Sequence, residues 1–471
     1  MKRIAMLASL LAAVLLVAGL LLAVAVQASA QTSAPTSITQ PDESAPHDMA
    51  RAPAQTDVAS TTEHLLGDWG GIRTKLENMG IYLSFDALTE FAGNVSGGMK
   101  QGATFANQVA FGADIDWQRL AGVTGFSTHV TLVNRSGAND SALFGDNLLP
   151  VQEIFGAGGN VAVHLVSVYV QEILFDGRLD LAAGRMNVEN DFASSPLYCN
   201  YMNNVLCGDP KALPGGDIGH SAYPDGVWGG RVRARPLPDI YITAGIYEVS
   251  QGLYGDDFRT GFEFDGAQDS GVYVPVEIGY EPRLGDQRLP GHYKIGFGYD
   301  SSNTFTNFSS ALTTPPGAKP PTHTGNTQLW VLADQMLVRQ GPGDQDGIIV
   351  MGGYIHNDPI NSVYADQVFF GALDRDFWAD RPQDAVAMLF SYNTVSSQLG
   401  KVQALEQAFG LPFSNSATGV QTHEMILELN YNIHVYRGLS FQPDYQYVIR
   451  PNAQANIHNA SVFGFRAHVW F

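Results

Sequence analysis

From about Gly80 to its last residue the chain alternates apolar and polar side chains with a period of two. Few architectures accept that pattern over such a length, because a strand shows successive side chains to opposite faces. Val109, Phe111, Ala113, Ile115 and Trp117 oppose Gln108, Asp114 and Asp116, and Ile240, Ile242, Ala244 and Ile246 oppose Tyr241, Thr243 and Tyr247. Met425, Leu427, Leu429, Tyr431, Ile433 and Val435 are likewise set against Glu424, Glu428, Asn430, Asn432 and His434. In water so many apolar faces would leave large sticky patches, whereas in lipid a closed sheet satisfies every backbone group.

Counting such runs predicts roughly sixteen strands, an even number as closed bacterial barrels require. They start near Ile81, Gln108, Phe126, Val163, Arg178, Val227, Ile240, Gly271, His292, Gln328, Gly347, Val363, Asp384, His423, Leu439 and Ser461, the runs at Val363 and Asp384 being the weakest. The expected fold is all-β: a transmembrane antiparallel β-barrel of about sixteen strands over 81–471 with a short periplasmic helix over 63–80. Connection lengths give an independent test, since such barrels have long loops outside and short turns inside. Connections after odd strands are long, about forty residues from Asn187 to Gly226 and about twenty-seven from Ser301 to Thr327. Those after even strands are short, as at Asp176-Gly177, Pro236-Leu237-Pro238-Asp239 and Tyr436-Arg437-Gly438; the odd connection from Asn357 to Ser362 breaks the rule. The chain ends with aromatic or apolar residues at every second position from Phe463 to Phe471, which resembles the signal read by the barrel-assembly machinery.

Residues 1–30 read as a cleaved signal peptide: Lys2 and Arg3, an apolar run from Ile4 to Val26, then Ala28-Ser29-Ala30 before Gln31. The run is long enough to span as an anchor, but the small-residue site and the polar residues after it argue for cleavage. Residues 31–62 are Ser, Thr, Pro, Gln and Ala with scattered charge, a disordered linker. In the next segment Ile72, Leu76 and Met79 share one helical face and Gly80 suits the cap. Export implies an oxidising compartment, so Cys199 and Cys207 suit a disulfide; as a metal site the two thiols lack histidine partners. A net charge of −20 opposes nucleic acid as a partner. Acidic residues gather in loop-like stretches such as Tyr254 to Asp269.

No enzyme motif stands out. Gly156-Ala157-Gly158-Gly159-Asn160 lacks the Lys and Ser or Thr of a phosphate loop, and His423-Glu424 lacks a second His four residues on. No cofactor or metal is expected. A barrel of this size leaves an aqueous lumen lined by the polar faces. Alternation turns Arg231, Arg233 and Arg235 inward and Val232 and Ala234 outward, so Arg231 and Arg233 are the first candidates to touch solute. Arg135, Glu90, Asp114 and Glu277 also point inward, while strict alternation turns Arg185 outward unless a bulge near Gly184 intervenes. For each, the plain alternative is a charge solvated by lumen water or paired with a neighbour. Charged groups would bind sugar hydroxyls and rings such as Tyr169, Tyr241 and Tyr247 would stack on sugar faces. Interfacial girdles are the commoner use of aromatics, here Tyr280, Tyr299 and Trp330.

Four stretches resemble the carbohydrate-selective porin family of Gram-negative outer membranes (OprB-like), over nearly the whole chain after about residue 65. They are Gly67-Asp68-Trp69-Gly70-Gly71-Ile72-Arg73 with Leu76 and Gly80, and Gly184-Arg185-Met186 with Asp191-Phe192 and Leu197-Tyr198-Cys199 to Cys207-Gly208. The others are Glu424 with Leu427 and Tyr431, and the closing Gln442-Pro443-Asp444-Tyr445-Gln446-Tyr447-Val448 to Pro451. The resemblance implies a passive channel for glucose and other small sugars, narrowed by outer loops folded inward. By that analogy the loops Ser136 to Ala162 and Asn187 to Gly226 narrow the pore, and a Cys199–Cys207 bridge stiffens one of them. A general diffusion porin and a loop-plugged sugar receptor are the competing readings. Outer-membrane lipid is the surrounding partner; protein-contact and lipid-contact faces are both apolar, so a homo-oligomer stays open.

Overall fold

The computed structural model describes residues 64–471 apart from 156–158, 254–259, 265, 267, 316–317 and 379. The expected signal peptide and linker lie outside the described residues, as do parts of the Gly156 and Tyr254 stretches. Sixteen long strands form the wall. They are β1 (Ile81–Ser96), β2 (Gly102–Asp116), β3 (Phe126–Gly137), β4 (Val161–Leu174), β5 (Leu179–Met186), β6 (Val227–Leu237), β7 (Ile240–Ser250) and β8 (Asp269–Tyr280). Then follow β9 (Leu289–Asp300), β10 (Asn326–Arg339), β11 (Gly347–Asn357), β12 (Tyr364–Arg375), β13 (Ala385–Val395), β14 (His423–Tyr436), β15 (Leu439–Ile449) and β16 (Ala460–Trp470). Each pairs antiparallel with the next, and β1 closes on β16 from Asp86↔Trp470 to Ser96↔Ser461.

Strand starts fall close to those read from alternation; the largest gap is at β2, which begins at Gly102 rather than Gln108. The two weak runs are full strands, β12 and β13. The polarity of the wall is inverted relative to a soluble protein, because lipid and not water surrounds it. Ile295, Phe297, Val331 and Phe370 lie exposed on the outside, whereas Glu90, Arg135, Gln328 and Gln446 are buried within. Tyr280 and Tyr299 are exposed outside as expected of girdle residues, but Trp330 is fully buried and inward. Its place follows from Gly296 on the neighbouring strand, where a Cβ would fall 2.1 Å from the indole. Gly279 makes the same room for Tyr241, and Gly298 for Tyr273. Inward glycines thus let large rings lie flat across the wall.

The helix Ile72–Asn78 forms as expected, and Gly80 after it has φ +87° with a hypothetical Cβ 2.6 Å from the Asp116 carbonyl, so only glycine fits. Its packing differs from the apolar face expected. Ile72 and Met79 are exposed, and the buried residue is Arg73, which lies 4.1 Å from the Trp69 ring. Arg73 donates to the Phe471 carbonyl and, at 3.3 Å, to that of Leu83, while Leu65 N–H reaches the Trp470 carbonyl at 2.8 Å. The segment thus supplies donors to carbonyl groups at the ends of β1 and β16, where the barrel closes.

Candidate pore constriction

The lumen is crossed by the two connections singled out above. In the loop over 187–226, Ala193 N–H donates to Glu277 of β8 at 2.8 Å. On the opposite wall Met202 and Asn203 N–H donate to Glu428 of β14 at 2.7 and 3.0 Å. Arg466 of β16 donates to the Cys199 and Tyr201 carbonyls at 2.8 and 2.9 Å, and the Tyr201 hydroxyl reaches the Met388 carbonyl of β13 at 2.9 Å. Cys199 and Cys207 form a disulfide within this crossing segment. The loop after β3 folds in beside it: Ile154 N–H donates to Glu90 at 3.3 Å, Gln446 to the Val151 carbonyl at 2.9 Å, and Tyr364 to the Leu148 carbonyl.

Below the crossing segment, β6 to β9 present a basic arc. Arg231 is held by Asp180 at 2.6 Å and Asp191 at 2.8 Å and is nearly buried. Arg233 is half-buried; its Nε donates to Thr243 Oγ1 at 2.9 Å and an Nη to the Asp191 carbonyl at 3.1 Å. Its guanidinium lies 5.0 Å from the centre of the Tyr241 ring, with that of Arg235, paired to Glu281, at 5.4 Å. Lys294 of β9 is also half-buried and donates to the Ser194 carbonyl. Neither Arg233 nor Lys294 is ion-paired with a carboxylate among the described residues. Lys294 and Tyr241 lie opposite Gly279 from its two sides, so two positive donors and a tyrosine ring share one stretch of wall, which suits a solute rich in hydroxyl groups.

The residues expected to line the pore divide sharply. Arg231 and Arg233 stand together on the arc, and Asp114 is inward and partly open, accepting from His129 Nδ1 at 2.7 Å. Glu90, Arg135 and Glu277 point inward but are sealed under the loops. Glu90 pairs with Arg466 at 3.0 Å, Arg135 Nε donates to Gln108 at 2.8 Å, and Glu277 accepts from Ala193, Tyr241 and Trp330. In this structure all three side chains are engaged by neighbouring protein groups. Arg185 is a correction. It pairs in unbroken register with Val168 and the exposed Trp228, so alternation keeps it on the outer face; it is buried there, donating to the Leu165 carbonyl at 3.3 Å. Lys294 and Arg466 were missed although alternation from Ile295 and Phe465 turns both inward. Asp191 sits in a loop with no period to reveal it.

The crossing segment itself forms most of a small cleft, lined in part by Glu153, Glu189, Asn204, Asp209, Lys211 and Tyr223. Burial and mutual repulsion push the Glu189 carboxyl well above the usual range, and burial pushes Asp209 up too. Burial pushes Lys211 down, and it holds His220, 2.7 Å from Asp209, at about 3. The buried imidazole is therefore neutral at physiological pH.

A profile described as carbohydrate-selective porin, OprB family, matches residues 100–471. Porin B of Pseudomonas aeruginosa is 27% identical over 438 residues, covering 89% of this chain and 94% of that protein. The putative porin QuiX of Acinetobacter baylyi is 26% identical over 426 residues, covering 86% and 93%. Among solved structures, the high-pH structure of Pseudomonas putida OprB superposes with a TM-score of 0.79 at 25% identity, covering 87% of this chain and 98% of that one.

Proposed function

Because the chain belongs to the carbohydrate-selective porin family, and so is a sugar-selective outer-membrane channel, we propose that its selectivity is set where the crossing loop meets the basic arc. Glucose and similar small sugars diffuse passively past Arg233 and Lys294, exchanging hydrogen bonds with water for bonds to these cations while a face slides over Tyr241. A hydrogen bond to a charged group contributes about 1.5–3 kcal/mol, enough to favour a polyol over an equally large solute without trapping it. Arg231 serves differently: fixed by Asp180 and Asp191, it positions the loop turn at Asp191. Signal cleavage before Gln31, insertion through the Phe471 strand by the assembly machinery and any homo-oligomer belong to the same proposal.

The observation that carries this reading is a pair of half-buried cations without carboxylate partners, Arg233 against the Tyr241 ring and Lys294 on the far side of Gly279 from Tyr241 in the sheet. Swelling of liposomes holding the folded barrel tests it, with glucose, a disaccharide, an amino acid and a charged solute of similar size. Glucose should enter faster than the comparably sized non-sugars. Rates ordered by size alone would reduce the protein to a general diffusion porin. The hydrogen bonds that tie the loops across the lumen favour a second reading, a barrel plugged and used as a sugar receptor; it predicts no entry of any solute.

A further inference from the structure

Each inward loop meets the barrel wall through two buried acids. In the loop after β3, Asp146 lies against Glu424 of β14; in the loop after β5, Asp217 lies against Asp300, the last residue of β9. Their exposures are 2, 1, 2 and 0%. The geometry is the same in both. One oxygen of each carboxyl is satisfied by backbone: Asp146 Oδ1 by Leu148 and Leu149, Glu424 Oε2 by Ala453, Asp217 Oδ1 by Gly219 and Asp300 Oδ1 by Ser302. The other oxygens, Asp146 Oδ2, Glu424 Oε1, Asp217 Oδ2 and Asp300 Oδ2, are buried without a well-formed hydrogen bond among the described residues, the Asn326 amide and the Ser302 hydroxyl lying beside the second pair. Nor, among the described residues, does a cation form an ion pair with any of the four. The titratable groups that face them are Tyr364 of β12 at the first pair and Tyr273 of β8 at the second, with Asp209 and His220 behind Tyr273. Both tyrosine hydroxyls are engaged elsewhere, with the Leu148 carbonyl and with Gln328.

Two carboxylates cannot share such a site as anions; one proton between them turns repulsion into a strong hydrogen bond. We propose that the two acid pairs are proton-held latches that fasten the inward loops to the outer rim, keeping the channel narrow at low pH and releasing it as pH rises. The sign follows from the loop partners. Burial raises both Asp146 and Asp217 above the ordinary aspartate value. A carboxyl raised in the folded state stabilises that state fully below its unfolded value and loses the contribution as pH climbs through its folded value. The attachment is therefore present in acid and lost in alkali.

Single-channel conductance of the full-length protein in planar bilayers tests this, because salt carries the current whatever the sugar preference. As pH is raised from about 4 to about 10 the wild-type conductance should rise about twofold or more. In the double variant D217N/E424Q an amide N–H replaces the shared proton, so conductance should stay at its low level throughout. Heat-modifiable gel migration shows that both barrels are folded. A flat wild-type profile, an undiminished rise in the double variant, or no current at any pH would each overturn the latch. So would a rise at neutral pH on adding a calcium chelator, which would put a metal ion where the proton is placed here.

Discussion

In β10, Leu329, Val331 and Leu337 face outward and Gln328, Trp330 and Asp334 inward by position alone. In the loop over 187–226 no position implies a direction: Met202 is held by a carboxylate 226 residues further on, and Tyr201 by carbonyls of β12 and β13. The wall needs only alternation and a closed ladder, both local rules repeated sixteen times. The loop needs a particular donor or acceptor from the wall at each step. What separates the two is redundancy: a wall strand shares its load with neighbours on both sides, whereas a loop attachment rests on one or two side chains.

That contrast can be broken or sharpened, and the largest effect should come from Arg466. Arg466→Ala removes two donors from loop carbonyls and leaves Glu90 buried without its partner, a loss of about 3–5 kcal/mol. Added protease should then cut within 187–226 while the barrel keeps its heat-modifiable band; an uncut loop would mean that the loop does not depend on this attachment. On the wall, Val331→Arg puts a charge on the lipid face at a cost of about 2–4 kcal/mol near the midplane. The folded fraction in graded urea should fall without new protease sensitivity in the loop. Gly296→Ala couples the two regions, since its Cβ would fall 2.1 Å from the Trp330 indole that donates to Glu277. Overpacking of about 1–3 kcal/mol should displace the indole and alter its fluorescence. The smallest effect belongs to Arg283→Ala at a short turn, where an ion pair to Asp344 is half exposed and contributes less than about 1 kcal/mol. Its urea midpoint should match wild type within error.

The same contrast explains what could be read in advance. Strand number, order and inward faces were legible because lipid imposes a strict period, and that period turned Arg231 and Arg233 toward the crossing loop, where both meet Asp191. Trp330 was assigned to the outer girdle by residue type, yet its parity with Gln328 and the notch at Gly296 turn it inward. Glu90, Arg135 and Glu277 were turned the right way, but nothing local says that a distant loop will cover them. Arg73 was overlooked because helical amphipathicity ranks apolar residues, while Arg73 acts by donating to carbonyls of Leu83 and Phe471. Asp191, Asp146 and Asp217 lie in segments without periodicity, and their roles exist only through the wall residues they meet.

The most direct test of a sugar-selective gap between loop and basic arc is glucose entry relative to an equally large amino acid, compared in liposomes between wild type and the double variant R233A/K294A. Loss of two charge-assisted donors should lower that ratio by about tenfold, roughly 1.4 kcal/mol, with the folded band intact. An unchanged ratio in a correctly folded variant would contradict the assignment and place selectivity elsewhere along the channel.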